Sequence, residues 1–269
     1  MGINFLTGEI FIMKKALLVL MLVVAMCGCA FAESDSEYVK AKGVLVVGIT
    51  DFQPMDYKNE EGEWIGFDAD LAKAFAESLG VKVEFQEIEW NNKILELNGK
   101  NIDCVWNGMT LTSEVLSSME CSKPYCNNAQ IVVVPTSEAD KFQNMESIKQ
   151  RGITFAVEHG SAGDEQAKSQ GLKTVEVQDQ ASALMEVASG SSNAAIIDSL
   201  MAAAMVGPGT GYENLIYTIG LNIEEYGVGF RKGSDLAEVL NKFFDAGYAT
   251  GAIEKLAETY KIQAALIKK

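Results

Sequence analysis

Histidine occurs once in 269 residues and proline four times, and basic side chains are outnumbered by acidic ones, 22 to 37, for a formal net charge of −15. The shortage of Lys and Arg argues against a nucleic-acid partner, because phosphate backbones are held by basic patches. The same sign disfavours anionic membrane surfaces as a docking place for the folded body. A positively charged or amine-bearing ligand is permitted by the charge but not required by it. Five cysteines without metal-ligand spacing give neither a disulfide framework nor a zinc site. With so little His and Cys, no cofactor or metal is expected, and His159 reads as a loop or surface residue. Few prolines and no low-complexity tract leave nothing disordered or collagen-like to expect. The composition, 48% hydrophobic and 22% charged, is that of a chain that folds. At this length roughly 70–75% of the unfolded surface can be buried, in one large domain or two smaller ones.

The conspicuous apolar run is at the N-terminus. Lys14 and Lys15 precede Ala16–Ala30, a basic region followed by an apolar stretch and then small residues, which is the pattern of an export signal over residues 1–32. It is short for a membrane span of about 20 residues, and Met13 makes a more natural start than Met1. Two cleavage readings stay open. Ala30-Phe31-Ala32 suits cleavage before Glu33, whereas Gly28-Cys29 resembles a lipobox that would place a lipid on Cys29, with Met26 where a lipobox commonly has Leu. Either way the mature body is expected to work outside the cytoplasm, periplasmic or tethered to the outer face of the membrane. Removing Lys14, Lys15 and Glu9 leaves 20 basic and 36 acidic residues, a net −16. The body retains Cys104, Cys121 and Cys126, of which Cys121 and Cys126 are a conceivable disulfide or else buried thiols.

From Gly43 the chain alternates apolar runs with helical patterns. The run 43–49 predicts a strand; Phe67, Leu71, Phe75 and Leu79 share one face of a helix that Gly80 ends. Strands are expected at 82–86 and 103–107 around a helix near 92–97, an order that implies a parallel sheet covered by helices. A second series repeats the scheme, with strands at 129–134, 153–157, 173–177 and 194–198 and helices from about Asp164 and through 181–188. An internal echo links the two: Leu97-x-Gly99 leads in eight residues to Asn107, and Ala188-x-Gly190 leads in eight to Asp198. Both polar residues should lie at carboxyl ends of strands, which in open α/β sheets form the ligand crevice. The expected organisation is lobe 1 at 40–129, lobe 2 at 130–221, and a return to lobe 1 over 222–269 as one strand and two helices.

Several patterns then occur in a characteristic order: Pro54 followed by Gly66-Phe67-Asp68-x-Asp70-Leu71, Gly99 and Asp103, Gly108-Met109-Thr110-Leu111-Thr112, Ser122-x-Pro124-Tyr125, Gly160-Ser161, Asp198, and Tyr226-Gly227 before Arg231-Lys232. From about Gly43 to Tyr260 this resembles the extracytoplasmic solute-binding proteins of ABC importers, in particular the polar amino-acid-binding group. The resemblance implies an α/β fold of the two-lobed periplasmic-binding-protein type (type II), each lobe an α/β sheet, joined by two hinge strands near 127–134 and 218–226. It implies a monomer that closes on a small amino acid and delivers it to permease and ATPase partners.

The same resemblance implies a site. Asp198 would hold the ligand's α-ammonium, Phe52 would cover its side chain, Trp90 would line the pocket, and Asn107, Gly108, Thr110 and Ser161 would present polar and backbone groups. Phe52 and Trp90 are equally compatible with ordinary core, and Asp198 with a helix N-cap. The departure is on the carboxylate side, where Val115 replaces a commonly found Arg and Ala162 replaces a hydroxyl residue, while Glu158 adds an acid. Three explanations stay open: backbone N–H groups of 160–163 hold a carboxylate; the ligand is an amine lacking a conventional α-carboxylate, facing both Asp198 and Glu158; or another basic residue, such as Arg231 or Lys123, enters the cleft. A dehydratase using Glu158 and Asp198 as acid and base is the enzymatic alternative on the same fold. A sensor for a receptor kinase is the less favoured reading, since it would call for a signalling module after Lys269 and none is expected there.

Overall fold

The computed structural model describes residues 34–149 and 152–267. The export signal expected over 1–32, the alternative start at Met13 and the candidate lipid-attachment residue Cys29 lie outside the described residues.

Two five-stranded sheets organise the molecule. The first has Val44–Ile49 at its heart, parallel to Lys82–Glu87 on one side and to Cys104–Val105 on the other. Gly229–Arg231 then runs antiparallel between Cys104–Val105 and Met119–Cys121. In the second sheet Lys173–Val177, Thr154–Glu158 and Ala194–Asp198 are parallel, and Gln130–Pro135 pairs antiparallel with Ala194–Asp198 and with Leu215–Gly220. The β-α-β units are therefore parallel as their spacing predicts, and each sheet also takes antiparallel strands, supplied by chain segments that return from elsewhere. Between the sheets the chain runs through Cys126–Asn128 and Glu224–Tyr226, paired antiparallel as a two-stranded ribbon.

Local signals explain most of the elements. Helix Phe67–Leu79 buries Phe67, Leu71 and Phe75 at i, i+4 spacing, carries Asp68 and Asp70 in its first turn, and stops at Gly80 with φ 74°. Leu79, on the same stripe, is only half-buried. Phe75 meets Trp106 and Phe243 edge-on at 6.1 and 5.5 Å, so helix Leu236–Thr250 packs on the same core. A large-to-small change in such a position costs about 3–5 kcal/mol. In the second lobe, helix Gln180–Ser189 starts at Asp179, which accepts from Ser182 N at 2.6 Å, and buries Ala183, Leu184 and Val187.

Some expectations are corrected. An additional helix, Asp35–Lys42, precedes the first strand and is capped by Ser34. The strand predicted over 103–107 is limited to Cys104–Val105, because the chain turns at Asn107-Gly108, where Gly108 has φ 53°. The helix near 92–97 begins with a 3-10 turn, Trp90–Asn92, ahead of Lys93–Asn98. Cys104, Cys121 and Cys126 are free thiols, so Cys121 and Cys126 do not form a disulfide. Cys126 is buried and Cys121 half-buried, consistent with the small apolar role. Among the described residues no helix is long and apolar enough to cross a membrane.

Candidate functional site

The cleft between the two sheets collects residues from both. Phe52, Trp90, Asn107, Gly108 and Thr110 line it from the first lobe, and Glu158, Ser161 and Asp198 from the second. All eight sequence-chosen residues therefore meet in one place. The space left between these residues measures about 20 Å³, room for about one water at ~10–15 Å³.

Asp198 closes strand Ala194–Asp198 and is buried. It stands at the N-cap position of helix Ser199–Met205 but makes no side-chain capping bond. Its carboxylate instead accepts from three amides: Asn128 Nδ2 at 2.6 Å, Gln180 Nε2 at 2.8 Å, and Gln130 Nε2. Gln180 Oε1 in turn accepts from Asp198 N at 2.8 Å, which locks the side chain in place. Burial, then the nearby Glu224, pushes the Asp198 carboxyl up to about 8 against the lowering influence of those amides. Glu158, at the end of Thr154–Glu158, is also buried; its Oε1 has no hydrogen-bond partner. Burial first and Asp198 next push it up to about 8. Outside this lining, burial and then the Asp179 carboxylate raise Asp51, so a further pair of acids from the two lobes acts on each other.

Asn107 sits at the cleft, yet its amide is committed within the first lobe. Oδ1 accepts from Thr50 N at 3.0 Å and Thr50 Oγ1 at 2.8 Å, while Nδ2 donates to Thr50 O at 3.0 Å and Asp56 Oδ2 at 2.8 Å. It shapes the floor of the cleft and leaves Gly108 to face inward. Gly108 N donates to the buried Asp68 at 2.7 Å, and a Cβ at Gly108 would fall 2.3 Å from the Phe52 ring. Phe52 itself is core and lining at once, edge-on to Tyr226 at 6.3 Å. Thr110 donates to Glu224 at 2.8 Å, and the Ser161 hydroxyl caps helix Ala162–Ser169 by accepting from Asp164 N at 3.1 Å.

Neither Arg231 nor Lys123, the examples named for a basic residue entering the cleft, lines it. Arg231 is buried in the first lobe, bonded to Asp35, to Asp103 and to the Ile102 carbonyl, and Lys123 is exposed beside Asp245 at 3.8 Å. The cation that lines the cleft is Lys93, 5% exposed. The sequence reading passed over it. Its signal was a lysine one helical turn after Trp90, on a face otherwise made of Trp90 and Leu97. Gln180 and the Asn128, Gln130 and Glu224 cluster were also missed, since a hinge ribbon's side chains carry no local pattern. Among the described residues no group of His, Cys, Asp or Glu is arranged to hold a metal ion.

Residues 45–263 match the model of the bacterial extracellular solute-binding proteins, family 3, and the chain belongs to that family. It is 30% identical over 259 residues to the arginine-binding extracellular protein ArtP of Bacillus subtilis (strain 168), covering 92% of this chain and 98% of that one. Over 138 residues, 51% of this chain and 52% of the relative, it is 32% identical to the cyclohexadienyl dehydratase of Pseudomonas aeruginosa. Among solved structures, an ancestral amino acid-binding protein described as a precursor of cyclohexadienyl dehydratase superposes with a TM-score of 0.77 at 31% identity, covering 84% of this chain and 99% of that one. The two-lobed architecture is thus that of solute-binding proteins that act outside the cytoplasm.

Proposed function

We propose that the chain is the monomeric substrate-binding subunit of an ABC importer and that it captures a small amino acid bearing positive charge, without chemically altering it. The observation that carries this reading is the Asp198 carboxylate, buried and held by the amides of Asn128, Gln130 and Gln180, with Glu158 beside it. Buried acids of the same sign favour the protonated or open state until a cation arrives between them. A ligand ammonium would relieve that repulsion only when both lobes surround it, which is the differential contact that closure requires. The further acid pair, Asp51 and Asp179, would add to the attraction for a cation. An amine lacking a carboxylate fits the acid wall equally well, and the residue that distinguishes the two is Lys93.

The domain boundaries belong to the same proposal: lobe 1 at 40–129, lobe 2 at 130–221, and the return over 222–269. So do the ligand contacts, with Phe52 and Trp90 as walls, Gly108, Thr110 and Ser161 as polar edges, and Asn107 as the support beneath them. Binding rather than turnover is supported by the fixed bonding of Asp198, whose carboxylate is held by amides and not by a proton carrier. A lipid on Cys29 would tether the body to the membrane's outer face, and mass spectrometry of the exported product distinguishes it from cleavage before Glu33.

The test is thermal unfolding of the mature protein against amino acids and polyamines, since a ligand bound only by the native state raises the melting temperature. Basic amino acids are expected to give the largest shifts. Consumption of prephenate or arogenate, followed by chromatography, would replace the capture reading with the enzymatic one.

A further inference from the structure

Lys93 opens helix Lys93–Asn98 on the first lobe and reaches across the cleft. Its Nζ donates to the Gly160 carbonyl of the second lobe at 2.9 Å and to Trp90 O at 3.3 Å, and lies 5.0 Å from the centre of the Trp90 ring. An ammonium has three N–H donors, and these two carbonyls use two of them. Both acceptors are neutral. Among the described residues Lys93 forms no direct ion pair; Glu114, Glu158 and Glu165 act on it through space, while burial works against its charge. A buried ammonium with neutral acceptors alone is an expensive arrangement. Of the acids that line the cleft with it, Glu158 and Glu165 act on it only through space, and among the described residues neither is within ion-pair distance of Nζ, so its third N–H has no protein acceptor.

We infer that Lys93 is the anchor for the carboxylate of the captured ligand, and that its bond to the Gly160 carbonyl makes recognition of that carboxylate a condition of closure. The inference rests on the reading of the site as an amino-acid cleft and gives that reading its second pole. Asp198 and Glu158 face the ligand's cationic part, and Lys93 faces its acid. The carboxylate would complete the three-donor shell of the ammonium, and the one cation would then bridge ligand, first lobe and second lobe together. A ligand with the amine but no acid would leave the third N–H of Lys93 without an acceptor and favour closure less, so it should bind more weakly.

The experiment is isothermal titration calorimetry of the mature protein with two matched pairs, L-arginine against agmatine and L-histidine against histamine, each pair differing by the carboxylate. Wild-type protein is expected to favour the amino acid of the pair it binds by about tenfold or more, the scale of a charged hydrogen bond. Lys93→Met should abolish that preference, bringing acid and amine to equal affinity whatever its effect on the absolute values, and Lys93→Arg should keep it. Melting curves of the ligand-free variants check that they fold, and the wild-type preference is read without any substitution. Equal binding of acid and amine by the wild type, or an unchanged preference in Lys93→Met, overturns the role of Lys93 and leaves the capture of amines standing. No binding of any of the four compounds overturns the amino-acid reading and this inference with it.

Discussion

Asp198 and Glu224 share two hydrogen-bond donors. Asn128 Nδ2 reaches Asp198 Oδ1 at 2.6 Å and Glu224 Oε1 at 2.7 Å, and Gln130 Nε2 bonds the same two oxygens. Two acids, one from the second sheet and one from the hinge ribbon, are thereby brought together around a pair of amides, and Thr110 ties the Glu224 oxygen to the first lobe. The anionic site and the hinge are parts of one network.

The network sets a pH dependence. Asp198 and Glu158 both titrate near 8 in the folded protein, against unfolded values near 4. The native state therefore holds more protons than the unfolded state between those limits, so stability is greatest below about pH 4 for these groups and declines as pH rises through about 8. Asp56 and Asp68, raised by burial, act in the same direction. Melting temperature of the ligand-free protein should fall between about pH 5 and 8.5; a rising curve over that range would contradict the assignment.

Binding of a cation reverses the balance, because it favours the ionised acids. Affinity for a basic amino acid should increase from about pH 6 to 8.5, with protons released on binding. Calorimetry in buffers of different ionisation enthalpy measures that release directly, and proton uptake would be the opposite result.

Asp198→Asn preserves shape and removes the negative charge, keeping an oxygen to accept from Asn128 and Gln130 while its Nδ2 faces the Gln180 amide nitrogen. A charge-assisted hydrogen bond contributes roughly 1.5–3 kcal/mol, so affinity for a cationic ligand should fall by about 10- to 100-fold, with the variant folded by circular dichroism. Unchanged affinity would remove Asp198 from the site.

Gly160 stands where the lobes touch. It has φ 71°, and a Cβ there would meet Asn91 Cα and Cβ at 2.9 Å. Gly160→Ala should leave each lobe intact while opposing full closure. Small-angle scattering should show ligand-induced compaction reduced relative to the wild type, and compaction of equal extent would show that this contact does not limit closing.

Arg231 tests stability apart from binding. It is buried between Asp35 and Asp103 at 3.0 and 3.3 Å, and removing one member of such a set costs about 3–5 kcal/mol. Arg231→Ala should shift the urea midpoint accordingly and spare ligand affinity once folded.

Much of this architecture was legible in the sequence. The apolar stripe of Phe67, Leu71 and Phe75 with Gly80 behind it, and the run at 194–198 ending on Asp198, carry their own periodicity and punctuation. Asn107 and Asp198 were reachable because strand ends are local features, whereas Phe52, Trp90, Gly108, Thr110, Glu158 and Ser161 came from the resemblance to the family. What was hidden depends on distance in the chain. Arg231, one example under the three open explanations for the carboxylate side, is buried away from the cleft because its partners, Asp35 and Asp103, are 196 and 128 residues away. Lys93 was missed because a lysine in a short helix reads as solvated, and only the approach of Gly160 turns it inward.

The place of Gly229–Arg231 between Cys104–Val105 and Met119–Cys121 has a consequence for biogenesis. A chain emerging from the ribosome presents Thr154–Glu158, Ala194–Asp198 and their helices before the last strand of the other sheet exists. The inserted half can mature while the enclosing half still waits for its closing staple, and a truncation upstream of residue 229 would strand two unpaired β-edges, the kind of surface that invites aggregation.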